Sequence, residues 1–206
     1  MGYLFNNLNS ILKLLGEHLF LTFASLGIAL IVAIPIGVLV LKYRRFHTPI
    51  TSLLGLIYTI PSLALFATLI PYTGLGKTTA IIGLVAYSQM ILVRNIVAAI
   101  DGIDPLIIES AKGMGMTKWQ ILRRIEVPLA VPVVLAGIRV ATVSIISIAS
   151  IAAWIGAGGL GSLIFQGLRS QHTEKIIAGT ISIALLAILA DIIFRMLDKA
   201  FRPKIS

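Results

Sequence analysis

Along this chain the polar residues gather into short clusters, and the stretches between them are apolar almost without interruption. Five such runs can be drawn, at about residues 19–41, 50–70, 79–100, 127–155 and 176–197. Each approaches the roughly 20 residues a helix needs to cross a ~30 Å hydrocarbon core, and each is too continuous for the alternating strands of a membrane barrel. The pattern predicts an all-α integral membrane protein with five spans in a single domain over residues 1–206, its termini on opposite sides of the bilayer. No internal repeat, low-complexity segment or long linker interrupts it. Gly158-Gly159-Leu160-Gly161 reads as a helix stop. Ser162 to Arg169, apolar on one side through Leu163, Ile164 and Leu168, reads as a short helix at the outer membrane surface or as a loop.

Composition agrees: 58% of residues are hydrophobic and 12% charged, against about a quarter charged in soluble domains. The absence of cysteine excludes a disulfide framework, a thiolate nucleophile and a cysteine metal cluster. His18, His47 and His172 fall in separate polar boundary regions without ligand spacing, so no metal site is expected. The formal net charge of +9 does not require nucleic acid, because basic residues of membrane proteins accumulate in cytoplasmic loops. Lys42, Arg44 and Arg45, then Lys112, Lys118, Arg123 and Arg124, then Arg195, Lys199, Arg202 and Lys204 all fall on one face if the N-terminus lies outside. The other face holds Lys13, Lys77, Arg169 and Lys175, partly offset by Glu17 and Glu174. The expected location is a bacterial plasma membrane, N-terminus extracytoplasmic and C-terminus cytoplasmic, with no cleavable signal peptide ahead of the first span.

The segment 104–126 is the one polar, basic stretch between two long runs. Asp104-Pro105 is a helix start, since Asp caps free amides and Pro is tolerated in the first turn. Leu106, Ile107, Ala111, Met114, Trp119, Ile121, Leu122 and Ile125 supply apolar contacts, and Lys112, Lys118, Arg123 and Arg124 supply charge. Gly113 and Gly115 break the element into two short helices at an angle, and Pro128 is expected to begin the next span. Such a bent amphipathic piece suits a groove on a soluble partner. An amphipathic helix lying on anionic lipid is the alternative.

The order Glu109-Ser110-Ala111, then Gly115, then Ile125-Glu126-Val127-Pro128 resembles the EAA…G…I-LP motif of permease subunits of binding-protein-dependent ABC importers, with Ser110 for an Ala and Val127 for a Leu. A five-span core with this loop between spans three and four resembles the type I importer permease (MetI-like) fold. Tyr58 to Phe66 and Ile155 to Gly161 are similar to the branch that moves osmoprotectants such as glycine betaine, carnitine and choline. The resemblance implies a coupling helix seated in a cleft of an ATPase subunit, carried by Glu109, Ser110, Ala111, Lys112, Gly115, Trp119, Ile125 and Pro128. It further implies two permease chains, identical or paralogous, two cytoplasmic ATPases and an extracytoplasmic solute-binding protein, separate or fused to another subunit. With no Gly-x-x-x-x-Gly-Lys-Ser/Thr loop, the chain itself is not expected to hydrolyse ATP, to be an enzyme or to carry a cofactor; ATP and Mg belong to the partner subunit. The rivals are the same architecture carrying an amino acid such as methionine, a self-contained channel or ion-coupled carrier using Arg139, Asp191 and Gln89, and a non-transporting scaffold.

Polar groups inside spans are costly and usually face a cavity or a partner. Tyr58 and Ser62 flanking Pro61, then Ser88 and Gln89, then Ser144 and Ser147 are candidates for a translocation pathway, with packing or backbone bonding as the competing role. Arg139, about eleven residues beyond Pro128 and so roughly 16 Å into its span, requires a partner, and Asp191 is the best-placed acid. Arg94 is expected to snorkel. Pro35, Pro61 and Pro132 are expected to kink or loosen their spans, or to pack passively. Tyr58, Phe66, Tyr72, Tyr87 and Trp154 do not cluster in sequence as a quaternary-ammonium cage would, which leaves selectivity to the binding protein.

Overall fold

The computed structural model describes residues 7–201; Arg202 and Lys204 of the basic tail lie outside them. The chain forms α1 (Leu8–Lys42), a short 3-10 turn (Arg44–Phe46), α2 (His47–Thr59), α3 (Ser62–Thr73), α4 (Lys77–Asp101), α5 (Pro105–Gly113), α6 (Lys118–Ile155), α7 (Gly161–Arg169) and α8 (Thr173–Phe201). Among the described residues α1, α4, α6 and α8 are each long and apolar enough to cross a membrane, and α2 with α3 form a fifth, broken pair.

The path follows from contacts at the two ends of the bundle. Arg44, just past α1, bonds Asp101 at the end of α4, while the Lys77 ammonium at the start of α4 lies 5.5 Å from the centre of the Phe20 ring of α1. α1 and α4 therefore run the same way, and α2–α3 must carry the chain back between them. The start of α6 returns from the Asp101 end, and its far end meets α1 again where His18 Nε2 donates to Ile146 O at 3.1 Å. Five traverses result, and the two ends of the described chain lie at opposite ends of the bundle.

Three boundaries differ from the sequence expectation, each for a physical reason. α1 begins at Leu8 rather than near residue 19, because Ile11 is buried against Leu160 and Leu163 and stabilises the extra turns despite their polar residues. The second span is not one helix: α2 and α3 meet at 98° at Pro61, which lacks the N–H a helix would use. Pro35 and Pro132 lie inside continuous helices, so of the three prolines only Pro61 breaks its span. Pro128 does not start the fourth span either, since α6 already runs from Lys118, passing through a π-helical turn at Leu122–Glu126.

The core is a seam of α1, α4 and α6, where Ala29, Ala33 and Val40 meet Leu92, Val93 and Val97 and, on the third helix, Ala141, Ile145 and Ala149. Small residues let the backbones approach, as in membrane bundles generally, where lipid gives apolar side chains no reason to prefer one another. A Cβ at Gly83 of α4 would fall 2.6 Å from the Phe66 ring of α3, and Phe66 is wholly buried. Outside the seam the helices present large apolar side chains, such as Ile31 and Leu56 at 72% and 66% exposure, which only lipid or a partner chain covers.

Gly83→Leu should lower the stability of the purified protein by about 1–3 kcal/mol, the usual cost of overpacking. Gly27→Ala, at an exposed helical site with nothing within 4 Å of the added Cβ, should be neutral or stabilising by up to about 1 kcal/mol. Thermal unfolding of both variants in one detergent checks the contrast.

Candidate functional site

The loop between α4 and α6 is built as two capped helices. Asp104 Oδ1 accepts from Leu106 N at 2.9 Å and Pro105 occupies the first turn, so α5 starts where the sequence indicated. α5 ends in a tight reversal: Met116 N donates to Ala111 O and Gly115 N to Lys112 O, with Gly115 at φ +78°, a conformation that costs an ordinary L-residue roughly 1–2 kcal/mol. α6 then opens with a capping box, Gln120 N donating to Thr117 Oγ1 and Thr117 N to Gln120 Oε1.

This architecture sorts the side chains of the expected docking residues. Ala111 is fully buried at the bend. Glu109, Ser110, Lys112, Gly115 and Pro128 are exposed, and Ile125 is half-buried. Leu106, Met114 and Trp119 stand out at 67%, 73% and 66% exposure, apolar side chains projecting from a polar element. Arg123 and Arg124 share a small depression with Trp119 and Gln120. Lys118, expected to serve the same surface, instead lines a cleft together with Lys42 and Arg44.

The broken span is held open by its neighbour. At the α2–α3 break the Ile60 carbonyl loses its helical partner, and the Tyr87 hydroxyl of α4 donates to it. Tyr58 packs edge-on against Tyr87 with ring centres 6.0 Å apart, while Pro61 caps α3 and Ser62 is its first residue, half-buried. Tyr58, Pro61 and Ser62 thus form one locus with Tyr87. Gln89 does not join it. Two residues along a helix is about 200° of rotation, and the Gln89 amide donates to Ala29 O of α1 and Val85 O, both at 3.2 Å; it ties α1 to α4. Ser88 donates to Leu84 O, and Ser147 to Val143 O, bonds within their own helices. Ser144 is half-buried one turn before Ser147.

At the other end, α6 stops at Ile155, where the fourth apolar run was expected to end, and Gly156 follows at φ +80°. The glycine run then crosses α1, where Glu17 Oε2 accepts from Gly159 N at 2.9 Å. His18 is fully buried rather than placed in a polar boundary region, because the Ile146 carbonyl accepts its Nε2 proton. The short helix expected over 162–169 is present as α7. Within the bundle, Arg139 Nε lies 3.5 Å from Asp191 Oδ1, the expected pair, and Arg195 completes it by donating to Asp191 Oδ2 at 2.7 Å. Arg94 is exposed beside His47 and Asp101.

Sequence reasoning missed the Tyr87 brace and the Glu17–Gly159 clamp. The first left a signal, a Tyr-Ser-Gln run in mid-span; the second left none, since its partners are 142 residues apart.

A five-traverse helical bundle with a broken second span and a capped polar loop before the fourth defines a membrane transport permease of the MetI-like type. The chain belongs to the family of binding-protein-dependent transport system inner membrane components, whose profile matches residues 20–203. It is similar to the glycine betaine/carnitine/choline transport system permease protein OpuCB of Bacillus subtilis, 37% identical over 99% of this chain and 94% of the relative. It is likewise similar to the osmoprotectant import permease protein OsmW of Salmonella typhimurium, 39% identical over 98% of this chain and 96% of the relative. An inward-facing structure of the MetNI methionine ABC transporter shares the fold, with a TM-score of 0.81 at 21% identity over 91% of this chain and 94% of that one.

Tyr87→Phe keeps the ring contact with Tyr58 and leaves the Ile60 carbonyl without a donor, which should cost about 1–3 kcal/mol. Thermal unfolding and faster amide exchange over residues 58–64 check it, and unchanged exchange there would show that the hydroxyl braces nothing.

Proposed function

We propose that this chain is the permease subunit of an ATP-driven importer for osmoprotectants, quaternary amines such as glycine betaine, carnitine or choline. The observation that carries this reading is the similarity, at 37% and 39% identity over nearly the full chain, to relatives named for those cargoes. The end of the bundle bearing Lys42, Arg44, Arg45, Lys112, Lys118, Arg123 and Arg124 faces the cytoplasm, following the positive-inside bias. The chain pairs with a second permease and receives cargo from an extracytoplasmic binding protein.

In this reading α5 and the first turn of α6 seat in a cleft of a cytoplasmic ATPase, which holds ATP and Mg. Leu106, Met114 and Trp119 enter the groove as apolar anchors, and Lys112 and Arg123 meet its acidic rim. Exposed apolar side chains on an otherwise polar loop support the role, because nothing among the described residues covers them. Glu109, Ser110 and the buried Ala111 set the surface between the anchors, while Ile125 and Pro128 join it to α6. Closure of the ATPases moves α5, and α6 carries that movement to the far end of the bundle. The locus of Tyr58, Pro61 and Ser62, with Ser144 and Ser147 on one face of α6, lines the path. Its α2–α3 angle is set by contacts with α4, the Tyr87 hydroxyl bond and the Phe66–Gly83 packing, rather than by a continuous helix.

Uptake of labelled glycine betaine, carnitine, choline and methionine, in cells dependent on this permease and its partner subunits, tests the cargo; uptake of methionine alone would overturn it. Gly115→Val imposes a side chain on a positive φ and should lower uptake by about tenfold while the ATPase activity of the assembled transporter persists. Gly115→Asn should be milder, since Asn tolerates that conformation.

A further inference from the structure

At the basic end of the bundle α1, α4 and the start of α6 leave a cleft of about 870 Å³. Its floor is apolar, built from Val38, Ile96, Val131 and Val134. It runs along α1 from Lys42 to Ile34, eight residues or roughly 12 Å of helix. Its rim is charged: Lys42, Arg44 and Lys118 stand against Glu126. Arg44 is committed to Asp101, its two guanidinium nitrogens bonding the two carboxylate oxygens at 2.7 and 2.5 Å. Lys42 and Lys118 therefore face a single carboxylate, and the rim keeps one unbalanced positive charge.

The geometry points to an anionic phospholipid as the occupant, its phosphate between Lys42 and Lys118 and the upper part of one acyl chain along the Val38–Ile34 floor. Each half of the site fits one half of such a molecule. The apolar floor lies beside lipid-exposed positions of a transmembrane helix, Val38 being 54% and Ile34 52% exposed, and the cations sit at the helix ends, where headgroups lie. Basic pockets between membrane helices hold anionic headgroups by the same chemistry. A second copy of this chain fits poorly, because a two-fold contact through this face would bring the same net-positive rim up against itself. A soluble partner does not reach the floor.

The test uses the complete transporter with its partner subunits, reconstituted in nanodiscs of dioleoyl phosphatidylglycerol or of phosphatidylcholine, then released and examined by native mass spectrometry. Retention of one phosphatidylglycerol per permease, in preference to phosphatidylcholine, is expected. Lys42→Ala/Lys118→Ala should reduce that retention by about 30-fold, from the usual contribution of a basic residue near an anionic headgroup. Arg45→Ala/Lys199→Ala removes the same charge outside the cleft and should leave retention unchanged. Val38→Trp fills the floor without altering charge and should also abolish it. Equal retention of the two lipids, an equal loss in both double variants, or a photoreactive residue at position 38 that captures protein instead of lipid would overturn the assignment. Should the double alanine variant fail to accumulate, the wild-type lipid preference and Val38→Trp decide.

Discussion

Inside hydrocarbon a backbone carbonyl has no water to turn to, and leaving one unpaired costs several kcal/mol. That constraint governs where this chain bends. Four of its traverses satisfy it by remaining helical from end to end, and even Pro35 and Pro132 are absorbed without a break. The exception, at Ile60-Pro61, exists because another helix lends it a donor, the Tyr87 hydroxyl. The broken second span is thus a feature of two helices. α4 must be packed before α2–α3 has a defined angle, and α4 is itself fixed by the small-residue seam with α1 and α6.

The two ends of the bundle solve opposite problems. At the basic end the chain leaves the membrane through capped, self-satisfied turns, and the caps free its apolar side chains to project outward. At the other end it is tied down: Glu17 and His18 of α1 hold the glycine run and the Ile146 carbonyl of α6, and α7 packs over α8 through Gly179, where any side chain would meet Ile164. One end thus presents apolar side chains outward on a capped loop, and the other is closed by contacts between distant parts of the chain.

Much of this was legible in the residues. Continuous apolar runs gave the number of traverses, Asp104-Pro105 gave the start of α5, and the isolated charge of Arg139 called for Asp191, which the structure supplies. What escaped were features without a local signature. The early start of α1 depends on Ile11 meeting Leu160 and Leu163, a contact no window of hydropathy registers. The 98° break was written only as a proline, and Pro35 and Pro132 look the same in sequence. Gln89 appeared to be a lining residue by its polarity alone; its helical phase relative to Tyr87 turns it toward α1.

The π-helical turn at Leu122–Glu126 has a mechanical meaning. It joins the capped first turn of α6 to the rest of that helix without a loop, so α6 is one continuous rod with a single softer joint near the end that follows α5. Bending stiffness at that joint sets the fraction of an input displacement that is delivered rather than dissipated. Those five residues also carry Arg123 and Arg124 beside Trp119, and Leu122 and Glu126 at the cleft, so elastic compliance and surface chemistry are set by the same side chains.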